Sequence, residues 1–308
     1  MSARLAAGLL ATCLVSMASA QVAPLGMRAY DPFINGGTKA APETARYMAA
    51  IIQEGASFPA GYICSGTVIA DGWVLTAAHC TFNVECQEIL PQSLKVSAGV
   101  LVQTANSPTR PVTDIRRHEN FQCVPLKQQR IDIAANKPLP MGHDIALLRV
   151  PAARAPTPRL YIASAASQKA DVDSLFVGGW GTTKSGSGSP STLQSASLSF
   201  VDTTTCSTAW QPSILSTDLL CAAQKSAGTP VGVCSGDSGG PLVGHWGTSE
   251  IQLGVVSFGP FQCSTVDRPN LFTDVAMYWQ WISTITGKGA VQAPSLGCTA
   301  ADIEKRLC

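Results

Sequence analysis

Charged residues are scarce in this sequence of 308 residues: Asp, Glu, Lys and Arg make up 13% of it, and the formal net charge is +1. Because neither sign is in excess, nothing favours a nucleic acid or an anionic membrane as a partner. Internal repeats and coiled-coil heptads are also absent, which excludes solenoid and fibrous architectures. There is no C-x-x-C pair and no cysteine–histidine cluster typical of zinc, so we expect no metal and no cofactor.

Long apolar runs are missing as well, since no stretch reaches the roughly 20 residues that span a bilayer. One short run, residues 5–15, follows Arg4 and precedes Ala18-Ser19-Ala20. A basic residue, a short apolar run and a small-x-small site are typical of a secretory signal peptide. We therefore expect residues 1–20 to be removed and the mature protein to be soluble and secreted, either extracellular or periplasmic.

The cysteines fit an exported protein. Of the 11 cysteines, Cys13 leaves with the signal peptide, and the even number that remains favours disulfide bonds in an oxidising compartment. Glycine (27 residues) and proline (20 residues) are spread along the chain and favour many turns between short strands. The length indicates about two domains.

The most informative stretch is Cys234-Ser235-Gly236-Asp237-Ser238-Gly239-Gly240-Pro241. A serine hydroxyl becomes a good nucleophile only when a base takes its proton, and the resulting oxyanion needs fixed donors. Gly236 and Gly239 permit a tight turn in which the N–H groups of Gly236 and Ser238 point at one spot. The alternative is a glycine–serine turn between two strands without chemistry, so the nucleophile hypothesis requires a histidine and a buried carboxylate elsewhere.

A histidine and an aspartate occupy two other informative places. His79 follows a predicted β-hairpin that Cys64 and Cys80 flank. Asp144 opens an apolar strand, where a charge is costly unless it is paired. Taken alone, the histidine would be structural or superficial, and the aspartate a solvated strand end. Together with Ser238 they make a candidate triad.

Three motifs, in the order His, Asp, Ser, resemble those of chymotrypsin-like serine proteases of the trypsin family. The motifs are Thr76-Ala77-Ala78-His79-Cys80, Asp144-Ile145-Ala146-Leu147-Leu148 and Gly236-Asp237-Ser238-Gly239-Gly240-Pro241. The resemblance covers residues 34–287 and implies an all-β fold of two antiparallel Greek-key six-stranded β-barrels with a C-terminal helix. The site would lie in the cleft between the barrels, whose junction falls near residues 151–172.

The resemblance also implies the role of each triad member. Ser238 would attack the scissile carbonyl and form an acyl-enzyme, His79 would take and return the proton, and Asp144 would hold the imidazole tautomer. The N–H groups of Gly236 and Ser238 would form the oxyanion hole. The resemblance implies a monomeric endopeptidase whose partners would be protein or peptide substrates and protein protease inhibitors.

The predicted specificity pocket departs from that of trypsins. Trypsins carry an aspartate six residues before the nucleophile, where this chain has Gly232, and Asn270 stands where a second glycine is usual. The positions expected to contact substrate are Gly232, Val233, Ser257, Phe258, Gly259 and Asn270. Without a carboxylate at the pocket floor, we predict cleavage after small to medium apolar residues, as in elastases or chymotrypsins.

Activation is the second departure. In the family, cleavage frees an isoleucine or valine whose ammonium pairs with the aspartate before the nucleophile, and Ile34 and Asp237 match those roles. Residues 21–33 would then be a short propeptide. Its last residue is Phe33, which a trypsin-type activator would not recognise. A pocket that admits Phe would permit self-activation.

Five disulfide bonds are expected. The resemblance implies the pairs Cys64–Cys80, Cys206–Cys221 and Cys234–Cys263. Proximity suggests Cys86–Cys123 and Cys298–Cys308 for the others, although four cysteines allow three connectivities. The last of these pairs would close a loop in the tail of residues 288–308.

Three other features of the sequence bear on these predictions. Residues 85–115 contain no acidic cluster of the kind that holds calcium in many trypsins. An insertion at 119–142 should overhang the substrate cleft. A catalytically silent binding or adhesion module is an alternative, although no triad residue is lost. A serine esterase or lipase is another, since Gly236-Asp237-Ser238-Gly239-Gly240 fits G-x-S-x-G, but such enzymes place the histidine last.

Overall fold

The computed structural model covers most of the region in which the three motifs lie. The residues that it describes are 34, 37–135, 137–152, 161–163, 172, 174–182, 188–210, 216–224, 231–246, 249–260, 263, 268–287 and 290. The predicted signal peptide, the propeptide and the Cys298–Cys308 pair lie outside these residues, as does most of the junction at 151–172.

Short strands dominate the described residues. The strands are β1 (Thr38–Lys39), β2 (Met48–Gln53), β3 (Tyr62–Ala70), β4 (Trp73–Thr76), β5 (Leu94–Ala98), β6 (Arg110–Pro111), β7 (Asp114–Arg117), β8 (Ala146–Arg149), β9 (Tyr161–Ile162), β10 (Ser174–Gly179), β11 (Gln194–Val201), β12 (Leu219–Ala223), β13 (Pro241–Trp246), β14 (Ser249–Phe258) and β15 (Asn270–Asp274). The α-helices are α1 (Pro42–Ala45), α2 (Leu126–Ala134), α3 (Thr203–Trp210) and α4 (Trp279–Thr286). Single 3₁₀ turns cover Ala78–Thr81, Pro91–Ser93 and Val275–Tyr278.

The first sheet has the antiparallel order β6-β5-β2-β3-β4-β8-β7. Its two edge strands, β6 and β7, are separated in the chain only by Val112 and Thr113, so the sheet curls until its edges meet. The Val112 N–H donates to the Leu94 carbonyl at 3.0 Å, which continues the pairing of β6 with β5. If β6 and β7 are taken as one interrupted strand, the sheet has the predicted six strands.

The second sheet is closed. Strands β10, β11 and β12 pair in succession, the chain then crosses to β13, and β13, β14 and β15 pair in succession back to β12. Because β10 also pairs with β13, these six strands form a complete ring with Greek-key connections. The all-β prediction and the predicted C-terminal helix are therefore confirmed.

The first five residues of β2, whose sequence is MAAIIQ, are all apolar. Side chains alternate between the two faces of a strand, and both faces of β2 are buried. Ile51 packs in the core of the first sheet, whereas Ile52 packs in a second core that includes Phe176 and Trp180 from the other half. This second core joins the two halves of the molecule.

Each half also receives a segment from the other half of the chain. Ile34 is buried in the core of the second barrel, and β1 pairs with β11 there. At the other end, α4 packs against the first sheet through Ile282, which is fully buried, and through Trp281 and Ile285. The helix follows a 3₁₀ turn whose first free N–H, on Ala276, is capped by Asp274 at 3.2 Å.

Three disulfide bonds are present among the described residues: Cys64–Cys80, Cys86–Cys123 and Cys206–Cys221. All three are pairs named in the sequence analysis. Cys234 and Cys263 are both buried and pack together in a cluster of two. That fourth pairing stays a prediction.

Candidate active site

His79 lies in the 3₁₀ turn that follows β4. Strand β4 pairs with both β3 and β8, so the start of the turn is fixed at the centre of the first sheet. The Cys64–Cys80 bridge ties the next residue to β3. A side chain on a short loop is thereby held by two rigid elements.

Asp144 binds His79 at two points. Its Oδ2 lies 2.7 Å from His79 Nδ1, and its Oδ1 accepts the His79 backbone N–H at 2.8 Å. Ser257 Oγ donates to the same Oδ2 at 2.7 Å, and Thr273 Oγ1 donates to the Asp144 carbonyl. The carboxylate is almost fully buried. Because an acceptor faces Nδ1, the imidazole proton is held there and Nε2 keeps its lone pair.

The pKa of Asp144 is lowered. Burial alone raises it, but the charge of His79 and the hydrogen bonds from His79 and Ser257 together outweigh the burial. Asp144 therefore stays ionised at neutral pH and can stabilise a positive charge on the imidazole.

Ser238 lies in the turn of residues 235–239, just before β13. Gly236 and Gly239 have φ angles of +92° and +80°, which glycine adopts readily. The site also needs glycine for space, since a Cβ on Gly239 would lie 2.1 Å from Thr76 Oγ1. The Ser65 N–H donates to the Ser238 carbonyl at 2.8 Å and so ties the turn to the first sheet. His79, Asp144 and Ser238 line one cleft; the described residues show no hydrogen bond between the Ser238 hydroxyl and His79.

Two backbone donors near Ser238 are unused. In the described part of the chain, no hydrogen bond uses the N–H of Gly236 or of Ser238. The Gly236 carbonyl, in contrast, is held by Tyr62 Oη at 2.6 Å and by Ser65 Oγ at 3.1 Å. Sequence reasoning missed both side chains, because their contact with Gly236 spans more than 170 residues and no local pattern signals it.

Asp237 points away from the cleft into a fully buried cradle. Its Oδ1 accepts the N–H of Gly181 and its Oδ2 the N–H of Cys234, both at 2.9 Å. The backbone of Ile34 makes a further hydrogen bond to this carboxylate. Burial raises the pKa of Asp237 well above its usual value, although these hydrogen bonds act in the opposite direction. The structure thus brings together the two residues predicted to form the activation pair.

The cleft has a volume of about 530 Å³ and a largely apolar lining. Of the predicted pocket residues, Val233, Ser257, Phe258 and Gly259 line it. Asp144 is the one acidic side chain among the lining residues that the structure describes. Beside Val233, the described lining residues therefore present no carboxylate other than that of Asp144.

Gly232 and Asn270 are buried behind this wall, outside the set of residues that line the cleft. The Asn270 side chain accepts the N–H of Val233 at 3.3 Å and donates to the carbonyl of Ala222 at 3.2 Å. Its amide thus braces the pocket wall against β12. The expectation that Asn270 narrows or polarises the pocket stays a prediction.

The insertion at 119–142 forms one side of the cleft, as the sequence predicts. It contains α2, whose start is fixed by a 3.1 Å hydrogen bond from the Leu126 N–H to the Val84 carbonyl. The Cys86–Cys123 bridge joins it to the loop after His79. Phe121 and Met141 from the insertion line the cleft.

One group of potential metal ligands was found among the described residues. The ligand atoms of Cys64, His79 and Cys80 lie within 4.8 Å of one another. The two cysteines are joined in a disulfide bond and therefore have no thiolate to offer.

The sequence model of the family described as Trypsin matches residues 34–282. Together with the His79–Asp144 pair and the Ser238 turn, this match shows that the chain belongs to the trypsin family. The matched range includes all three motifs and both sheets. No helix among the described residues is long and apolar enough to cross a membrane.

Curated relatives agree with this assignment. The chain is 32% identical to transmembrane protease serine 11C of Mus musculus over 231 residues, which are 73% of this chain and 48% of the relative. It is 32% identical to coagulation factor XII of Bos taurus over 267 residues, 80% of this chain and 39% of that one. Granzyme M of Homo sapiens is 29% identical over 264 residues, 83% of this chain and 90% of its own. The chain thus spans half or less of the first two relatives.

A solved structure shares the fold. It is described as neuropsin, a serine protease expressed in the limbic system of mouse brain, and it superposes with a TM-score of 0.63 at 24% identity. The match covers 81% of this chain and 98% of that one.

Proposed function

We propose that this protein is a serine endopeptidase in which His79, Asp144 and Ser238 form the catalytic triad. The observation that carries the proposal is the buried Asp144–His79 pair, which faces the same cleft as Ser238 and leaves Nε2 able to accept a proton. In support, two unused N–H groups belong to the turn that carries Ser238.

The proposed reaction follows from these positions. His79 Nε2 takes the Ser238 proton as Oγ attacks the scissile carbonyl, and Asp144 stabilises the imidazolium. The N–H groups of Gly236 and Ser238 receive the oxyanion, a contribution of roughly 3–4 kcal/mol per donor to the activation barrier in comparable sites. The imidazolium then protonates the leaving amine, and water hydrolyses the acyl-enzyme by the same steps in reverse.

For specificity, we propose cleavage after small to medium apolar residues. In support, Val233 and Gly259 line the cleft, and a Cβ at Gly259 would only just touch Val233 at 3.4 Å. The test is kcat/KM for peptides ending in Ala, Val, Leu, Phe and Arg, with Val233→Asp as the matched variant. Preference of the unaltered protein for Arg would refute the proposal.

For activation, we propose that a secreted precursor is cut after Phe33 and that the Ile34 ammonium pairs with Asp237. In support, burial without a cation raises the pKa of Asp237, and an ammonium at Ile34 would relieve that cost. N-terminal sequencing of the active, secreted protein tests this. A mature chain that begins elsewhere than at Ile34 would exclude it.

Catalysis itself is tested with a serine-directed phosphonate probe and mass spectrometry of the labelled peptide. We expect labelling of Ser238, no labelling of Ser238→Ala, and slow labelling of His79→Ala. Ser235→Ala is the matched control, because it alters the neighbouring serine of the same turn. Unlabelled wild-type protein, cleaved and folded, would favour the binding or adhesion module.

A further inference from the structure

A second polar cluster adjoins Asp144 and has no part in the triad. It consists of His118, His143, Asp218 and Tyr278, and we call it the histidine cluster. None of its members lines the catalytic cleft. It holds two of the chain's four histidines.

The two imidazoles of the cluster are stacked. Their centroids are 4.9 Å apart and their planes differ by 6°. The ring of Tyr278 meets His118 edge-on at a centroid distance of 5.0 Å. Two imidazolium rings at this distance would repel each other, so the geometry favours at most one charge on the pair.

The hydrogen bonds define where the protons lie. Tyr278 Oη donates to Asp218 Oδ2, so it must accept from His143 Nδ1, which lies 2.9 Å away. His118 Nδ1 accepts the backbone N–H of Asn120 at 3.3 Å. Protonation of His118 would place a hydrogen on Nδ1, directly facing that N–H, and break the contact.

The cluster grips the backbone on both sides of Asp144. His143, the residue before it, has a φ of +59°, which is uncommon for a residue other than glycine. Its N–H donates to Asp218 Oδ2 at 2.7 Å, and this bond supports the unusual backbone. Ile145, the residue after Asp144, accepts the N–H of His118 at 3.1 Å.

We propose that the histidine cluster positions Asp144, and that protonation of His118 weakens its hold on the backbone around Asp144, so that kcat falls on acidification in a second step besides the protonation of the general base. The proposal rests on the triad function proposed above. His118, His143, Asp218 and Tyr278 would be positioning residues, since they act on the reaction only through Asp144.

The electrostatic surroundings support this direction. Burial lowers the pKa of His118; Glu119 and Asp218 oppose the shift, and His143 adds to it. Burial also raises the pKa of Tyr278, which therefore stays protonated as the donor to Asp218. Because the fold favours neutral His118, the cluster's contribution to stability is lost as the pH falls through the ordinary pKa of histidine toward the lower folded value.

The test is the pH profile of the double variant His118→Gln/His143→Asn. Asparagine tolerates a left-handed backbone and retains the N–H that bonds Asp218, while neither new side chain titrates. Values of kcat and KM are measured from about pH 5 to about pH 8, each relative to the same protein at about pH 8. His245→Gln is the control, because His245 lies outside the cluster and is bonded to Glu250 and Ser174.

Wild-type protein and His245→Gln should lose kcat with two protons, and the double variant with one. The difference amounts to about tenfold less loss per pH unit on the acid side, expressed in kcat and not in KM. Asp218→Asn, which keeps an acceptor but not the charge, should lower kcat at every pH. If kcat falls in the same way on the acid side of the pH profile for the wild type and the double variant, the proposal is overturned.

Labelling separates this inference from the proposed function. If the phosphonate labels Ser238 in all variants at about pH 8 and the acid limbs coincide, the triad stands and the cluster proposal fails. If it labels none of them, including wild type, the proposed function fails first. Thermal unfolding at both pH values shows whether the double variant is folded; should it not be, Asp218→Asn and His118→Gln alone decide the outcome.

Discussion

Replacing Gly181 with alanine tests the cradle that holds Asp237. The N–H of Gly181 donates to Asp237 Oδ1, and a Cβ on this glycine would lie 2.5 Å from the same oxygen. In folded proteins a Cβ essentially never lies closer than about 3 Å to such an atom, so the carboxylate must move away by about half an ångström. The Asp237 carboxylate has no room for this movement, because its opposite oxygen accepts the Cys234 N–H and the whole side chain is buried.

The magnitude follows from two contributions. Losing one hydrogen bond to a buried carboxyl group costs about 1.5–3 kcal/mol, and overpacking a rigid site costs about 1–3 kcal/mol. We therefore expect Gly181→Ala to lower the free energy of unfolding by about 3–5 kcal/mol. A misplacement of about 1 Å can cost about 100-fold in rate, so a displacement of about half an ångström at Asp237, which directly precedes Ser238, should slow the reaction of Ser238 by about tenfold.

Urea unfolding measures the first effect and the rate of phosphonate labelling the second. Gly188→Ala is the control, because a Cβ there meets no atom of the described residues within 4 Å. If Gly181→Ala differs from Gly188→Ala by less than about 0.5 kcal/mol and labels at the same rate, then the cradle is not rigid and the reasoning is wrong.

Three further substitutions test separate parts of the site. Tyr62→Phe removes the donor to the Gly236 carbonyl; we expect a loss of about 1–2 kcal/mol in urea unfolding and a fall in kcat with little change in KM, whereas an unaltered kcat would deny that donor a role. Replacing both Cys86 and Cys123 with alanine opens a loop with a sequence separation of 37 and should lower the free energy of unfolding by about 4 kcal/mol in the same assay. Equal urea midpoints for this variant and the wild type would contradict that expectation. Because the pKa of Asp144 is lowered, its contribution to the free energy of unfolding is present above about pH 4 and is lost as the pH falls through the lower folded value. Asp144→Asn should reduce this loss of unfolding free energy at acidic pH in the same urea assay. An unchanged loss would contradict the pairing of Asp144 with His79.

Local sequence was enough to predict the elements that carry the triad. The hairpin before His79 and the apolar strand after Asp144 can both be predicted, because each pattern is contained in a short window of sequence. The sequence does not reveal α2 within the insertion, for a physical reason. Only Leu126 and Gln129 of that helix are buried, so no apolar face exists to produce a helical period.

Long-range contacts decide what local patterns cannot. The partners of Asn270 are Val233 and Ala222, and the latter is brought beside it by the pairing of β15 with β12. Tyr62 likewise reaches Gly236 only because the two sheets pack together. Such contacts depend on the assembled fold, so pattern alone could not predict them.

The two halves of the molecule exchange segments, so that each completes the core of the other. Ile34 and β1 complete the second barrel, while α4 completes the first. The core of each half therefore includes a segment that the other half contributes. If the chain were cut between β8 and β10, these exchanged segments would still hold the two fragments together. Loss of Ile34 and β1 would open the second barrel, and loss of α4 would expose the core of the first.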